Sequence, residues 1–115
     1  MNRSMKAFTG VALLAGAVLL FAVHPFNASA APAAQDVYLD KCSVCHGQDG
    51  AGNTAKGRKL KVKNVRSPEV QKMSEAEMID IVSKGKGKDM DGYAKELGDD
   101  MVKQLVEYYR SLAKS

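Results

Sequence analysis

Cys42-Ser43-Val44-Cys45-His46 is the stretch from which the rest of the chain can be read. Two thiols three residues apart project from one side of a helical turn and match the two vinyl groups on one edge of a porphyrin. The next residue, His46, then lies under the iron and offers an imidazole nitrogen. C-x-x-C-H is the haem c attachment pattern, and it fixes the edge, face and rotation of the macrocycle at once. The other chemistries of a cysteine pair need a context that is missing. A thioredoxin-like pair needs a βαβ setting, and a zinc site needs further cysteines or histidines. A disulfide closing so small a loop would stabilise little.

Upstream of the motif the chain opens with Arg3 and Lys6, then an apolar run from Val11 to Val23, then Pro25 and the small triplet Ala28-Ser29-Ala30. A basic region, an apolar region and an A-x-A site in that order predict a cleavable signal peptide over residues 1–30. The run is short of the roughly 20 residues a spanning helix needs. No cysteine lies near the cleavage site, so no lipid is attached there, and no twin arginine precedes it. The expected destination is the bacterial periplasm, and folding and cofactor attachment take place outside the cytoplasm. The expected domain is residues 31–115. Losing Arg3 and Lys6 from 17 basic residues leaves 15 against 13 acidic, net +2 instead of +4. That balance gives no support to nucleic-acid binding. So short a domain has a small core and usually needs a disulfide, metal or cofactor to be stable.

Downstream, the hydrophobic spacing predicts an all-α fold. Val37, Tyr38, Cys42 and Cys45 share one face of a short helix over Asp36–Cys45, after a small-residue lead-in from Ala31 to Gln35. Gly47 to Gly57 carries four glycines and reads as an ordered loop. The alternation Leu60, Val62, Val65 scores as a strand, but the chain offers it no partner. Ser67-Pro68-Glu69 starts a helix. Ser74 and Glu77 form a capping box opening a helix with Met78, Ile81 and Val82 on one face, stopped by Gly85. Lys84 to Tyr93 is glycine-rich and is expected to be irregular. Asp99 or Asp100 starts the last helix, whose stripe is Met101, Leu105, Tyr108 and Leu112, flanked by Val102, Val106 and Tyr109. Connections this long around helices this short imply wrapping around a bound group.

The mature chain resembles the class I cytochromes c along nearly its whole length. Tyr38, four residues before Cys42, stands where the family has its first-helix aromatic, and His46-Gly47 with Gly50-x-Gly52 matches the loop after the motif. The tail Leu105-Val106-Glu107-Tyr108-Tyr109-Arg110-Ser111-Leu112 is similar to the C-terminal helix, with Tyr108 at its aromatic position. The resemblance implies a small fold of three to five helices with long loops around one covalently bound haem. It also implies a crossing of the first and last helices at Tyr38 and Tyr108. Two departures stand out. Ala34 replaces the glycine eight residues before the first cysteine. Arg58 stands where the family often has a proline whose carbonyl accepts from the proximal histidine.

Cys42 and Cys45 are thus the expected thioether anchors of one haem c per chain, with His46 the proximal iron ligand. His24 lies in the leader, so a second histidine from the mature chain is excluded. Of four methionines there, Met78 and Met101 lie on apolar stripes, and Met73 precedes a capping serine as a hydrophobic staple. Met90 lies in the charged glycine-rich loop, and by similarity to the family's axial-methionine loop it is the distal ligand. Asp91 replaces the family's following proline, while Tyr93 keeps the aromatic. Methionine ligation favours ferrous iron. Two filled axial positions leave no room for substrate, so an electron carrier is expected rather than an enzyme. The alternative is a haem enzyme or gas-binding protein with an open sixth position, and a third class is a small thiol module without haem. The expected partners are a redox donor and acceptor. Lys56, Arg58, Lys59, Lys61, Lys63, Arg66 and Lys72, joined by Lys84, Lys86 and Lys88, offer a basic docking face for an acidic one. Membrane contact would come only through a membrane-bound partner or an uncleaved leader.

Overall fold

The computed structural model describes residues 33–115 and, before them, only Gly10, Ala12 and Gly16. The signal segment and its cleavage site lie outside the described residues. The first helix, α1, spans Ala34–Lys41 and therefore starts earlier than its apolar face suggested. Asp36 in its first turn and Lys41 in its last complement the helix dipole. It stops at Cys42, and the expected continuous helix through Cys45 is two pieces: α2, Ser43–His46, follows as a separate turn and ends at Gly47 with φ 80°.

The loop and the basic run that follow hide a third helix, α3, Ala55–Leu60. Its signal is Thr54, whose side chain accepts the Gly57 N–H at 2.8 Å. The strand-like alternation of Leu60, Val62 and Val65 finds no partner; Lys61 closes α3 in the left-handed region at φ 57°. α4, Pro68–Gln71, starts on the Ser67 cap as the sequence indicated. α5, Glu75–Lys84, has its capping box complete. Its inward face is Met78, Ile79 and Val82, which join the core. Ile81 does not; it lines a surface groove with Met73, Ala76 and Asp80.

The segment expected to be irregular is partly ordered. Gly85–Lys86 (β1) and Met90–Asp91 (β2) pair antiparallel, with Gly85 opposite Asp91 and Lys86 opposite Met90. A short helix, α6, Ala94–Leu97, leads into α7, Asp99–Ser111, and a final 3-10 turn over Leu112–Lys114. Among the described residues, only α1, α5 and α7 reach eight residues, so their frame is all-α and three-helical, with short turns between. α7 lies against both α1 and α5. The core joins Val37 and Tyr38 of α1 to Leu105 and Val106 of α7, with Met78, Val65, Val70 and Leu112 filling between. Each such side chain contributes about 1.5–3 kcal/mol on burial.

The aromatic pair meets as the resemblance implied: the Tyr38 and Tyr108 rings lie edge to face at 5.2 Å. Arg66 is exposed but tethered. Its guanidinium donates to the carbonyls of Asp49, Leu112 and Ser115, pinning the C-terminus to the loop after the motif. Among the described residues, no helix is long and apolar enough to cross a membrane.

Candidate cofactor site

The turn Ser43–His46 is held almost entirely through its carbonyls. The Thr54 hydroxyl donates to Val44 O at 2.8 Å and to Cys45 O at 3.2 Å. Gly52 N–H donates to His46 O at 2.7 Å, and the buried Tyr38 hydroxyl donates to Gly47 O at 2.7 Å. Gly57 of α3 lies flat against this turn. A Cβ there would run into Cys45 O and Gly52 O. Two elements the motif alone did not reveal, the Thr54 cap and Gly57, thus hold the back of the pentapeptide. Thr54-x-x-Gly57 is visible as a helix cap, but only the fold shows what it leans on.

The front of the turn carries the chemistry. Cys42 and Cys45 are free thiols, both half-buried. Burial pushes the Cys42 thiol up to about 11, so it is held as the neutral S–H. Burial also lowers the His46 pKa, favouring the neutral imidazole that ligates metals. Among the described residues, His46 Nδ1 is the one fully buried side-chain nitrogen or oxygen without a hydrogen-bond partner. The carbonyl of Arg58, at the position of the family's proline, sits inside α3 and accepts from Lys61 N–H at 3.2 Å. What touches the His46 ring is Tyr109, edge-on at 5.5 Å and 77°. Tyr109 read from sequence as a flank of the α7 stripe.

The structure brings Cys42, Cys45 and His46 onto one turn and places Met90 elsewhere. α2 packs on α1 and α3, whereas β2 is held by β1, which leans on α5. Met90 is half-buried there, paired with Lys86 across the ribbon. The four residues therefore come from two separately supported parts of the chain. The two free thiols fit addition to the vinyl groups of a haem, and an imidazole and a thioether are the ligand types that hold a haem c iron.

The sequence model of the family "Cytochrome C oxidase, cbb3-type, subunit III" matches residues 29–108. The chain belongs to this family. Among solved structures it is similar to the KustC0563 c-type cytochrome, at 29% identity and a TM-score of 0.64, over 70% of this chain and 98% of that one. It is similar too to a tyrosine-to-phenylalanine mutant of Kustc0563, at 28% identity and a TM-score of 0.63, over 70% and 99% respectively. No curated protein matches it. This cytochrome is thus a small all-α, c-type protein whose cofactor is covalently bound haem c with its iron. The family match and the c-type cytochrome neighbours support a haem-based electron carrier.

Proposed function

We propose that this cytochrome is a periplasmic one-electron carrier, released from a signal peptide of residues 1–30 and folded as a domain of residues 31–115. Cys42 and Cys45 would hold the haem as thioethers, His46 would bind the iron on one side and Met90 on the other. When bound, the haem supplies reversible one-electron chemistry at its iron. The observation that carries the reading is the 43–46 turn, with both thiols free beside a histidine whose neutral form burial favours.

The chain's own residues then have distinct tasks. Thr54, Gly52 and Tyr38 occupy the turn's carbonyls and keep its side chains facing forward. Tyr38 and Tyr108 close the crossing of α1 and α7 and exclude water from that side. The β1–β2 ribbon presents the Met90 thioether, a ligand that favours the ferrous state. His46 and Met90 would together hold the iron and leave it to exchange electrons rather than bind substrate.

Redox partners remain part of the proposal. Lys56, Lys59 and Lys61 are exposed around α3 and suit an acidic partner surface. Lys63 pairs with Glu69 at 3.1 Å and Lys84 with Asp80, so the docking charge is smaller than the sequence count. Association with such a partner is expected to slow as salt rises, since these charges are screened beyond about 8 Å at physiological ionic strength. Lys59→Glu should slow it further.

The separate support of Met90 favours one second reading, a haem left open on that side to a gas or small ligand. Denatured holoprotein is expected to keep its haem through acid–organic extraction, and the ferric protein is expected to show the weak red-end sulfur-to-iron band. Haem that extracts freely overturns thioether attachment. Absence of the sulfur band with rapid carbon monoxide binding transfers the protein to the open-site reading.

A further inference from the structure

A ligating histidine almost always donates its second ring nitrogen to a carbonyl, carboxylate or water, which fixes the ring's rotation. His46 departs from that rule. Its Nδ1 is fully buried and has no partner. The carbonyls of α3 and of the turn accept other donors, Gly57 O from Lys61 and Val62, Arg58 O from Lys61, Val44 O and Cys45 O from Thr54 and His46 O from Gly52, and none of them is paired with Nδ1. A buried nitrogen without a partner exerts no hold on the ring, so something else must set its plane.

The Tyr109 ring is the group in place. It meets the imidazole edge to face, the arrangement aromatic pairs prefer because a positive edge faces a negative π-face. Tyr109 is not free to turn either. It packs against Tyr38 at 6.3 Å and 32°. Tyr38 is anchored by its bond to Gly47 O, the residue directly after His46, and by its contact with Tyr108. The chain of contacts leaves the 43–46 turn at Gly47, runs through Tyr38 and Tyr109, and returns to that turn at His46. It is a closed aromatic bracket built by α1, α2 and α7.

We propose that Tyr109 is the positioning residue of His46: its ring, rather than a hydrogen bond at Nδ1, sets the plane of the imidazole about the Cβ–Cγ bond. The proposal rests on His46 being the iron ligand. The plane of an axial imidazole sets which iron d orbital carries the unpaired electron, and hence the order of the haem methyl resonances in the ferric protein. The ring does this work and the hydroxyl does not, so Phe should replace Tyr at this position and an aliphatic side chain should not.

The test is proton NMR of the purified holoprotein. Tyr109→Phe is expected to keep the wild-type order of the four methyl resonances, and Tyr109→Leu is expected to change it. Val70→Ala, a core truncation outside the bracket, is expected to lower thermal stability and leave the order intact. In the wild-type ferrous protein, Overhauser contacts between the Tyr109 ring protons and the His46 ring protons are expected, a measurement that holds even if Tyr109→Leu fails to accumulate. An unchanged methyl order in Tyr109→Leu, a changed one in Tyr109→Phe, or absence of the Overhauser contacts overturns the proposal. Spectra showing that His46 is not an iron ligand overturn the ligation reading beneath it instead.

Discussion

The two parts of the molecule that carry the proposed iron ligands are built in different ways. The 43–46 turn and Gly47 are held from behind by four hydrogen bonds from three donors, Thr54, Gly52 and Tyr38, by the close approach of Gly57, and by the Tyr38–Tyr109 bracket. The Met90 side is a ribbon of two residue pairs, followed by α6. One exposed ion pair, Lys41 with Glu96, ties α6 back to the end of α1. The first half is a preorganised anchor. The second rests on α5 and α7 through β1, α6 and the Tyr93 N–H to Val82 O bond rather than on the turn itself, with Asp91 where the resemblance led one to expect a stiffening proline. A carrier built so needs its covalent side rigid, because attachment and ring orientation both depend on it. The methionine side is free to be softer.

Gly57→Val should break the rigid half outright. The added side chain would collide with the backbone carbonyls of Cys45 and Gly52, which cannot move without moving the motif. Overpacking of this kind costs about 1–3 kcal/mol and occasionally more, and backbone collisions put it at the upper end. The expected outcome is little or no holoprotein, measured as haem absorbance per milligram of purified chain. Normal haem loading would show that the anchor is less rigid than its contacts suggest.

Met90→Ala should separate the halves. Covalent haem is expected at wild-type loading, while the sulfur band disappears and carbon monoxide binds the ferrous protein. The packing loss should be below the roughly 2 kcal/mol minimum for truncating a fully buried methionine, because Met90 is only half-buried. If haem loading falls as far as in Gly57→Val, the two halves are coupled and the comparison fails.

The capping box of α5 bears on the support beneath the ribbon, and its effect should be seen only in acid. The Ser74 backbone and hydroxyl both donate to the Glu77 carboxylate, holding it below the usual carboxylate range. A lowered folded pKa means that this stabilisation is complete above the unfolded value and is lost as pH falls through the folded one. Glu77→Gln is therefore expected to flatten the acid limb of a melting-temperature profile below about pH 4.3, the ordinary glutamate value, with little change near neutrality. An unaltered acid limb would remove the box from the account.

The smallest effect belongs to Glu96→Gln. It breaks an exposed pair, which salt already weakens. The melting temperature should barely change, but Met90 should dissociate from the iron more readily, read as faster azide binding to the ferric protein at low salt. Equal azide rates in variant and wild type would mean that the ribbon is held without this tie.

Much of this was legible in the chain because the signals are local. C-S-V-C-H needs only the geometry of one turn. Ser67-Pro68 and Ser74-x-x-Glu77 start helices through bonds made within three residues, and the α7 stripe repeats with the helical period. The misreadings fall where local signals are weak or compete. The glycines of the loop concealed the Thr54 cap of α3, and a basic alternation imitated a strand. Ile81 took the place of Ile79 because spacing alone does not say which edge of an apolar stripe meets its neighbour.

By itself, then, the sequence determined the helical class, the Cys42–His46 attachment motif and the starts of α5 and α7, since each depends on interactions between near neighbours in the chain. Tertiary structure alone decided what lies behind and beside that turn. Gly57 meets the Cys45 carbonyl from twelve residues away, Arg66 reaches the carbonyls of the C-terminus, and Tyr109 meets His46 across the crossing of the terminal helices. Such contacts have no periodicity and no motif. They exist because packing α1 on α7 brings distant side chains within van der Waals range, and only the folded chain specifies which ones meet.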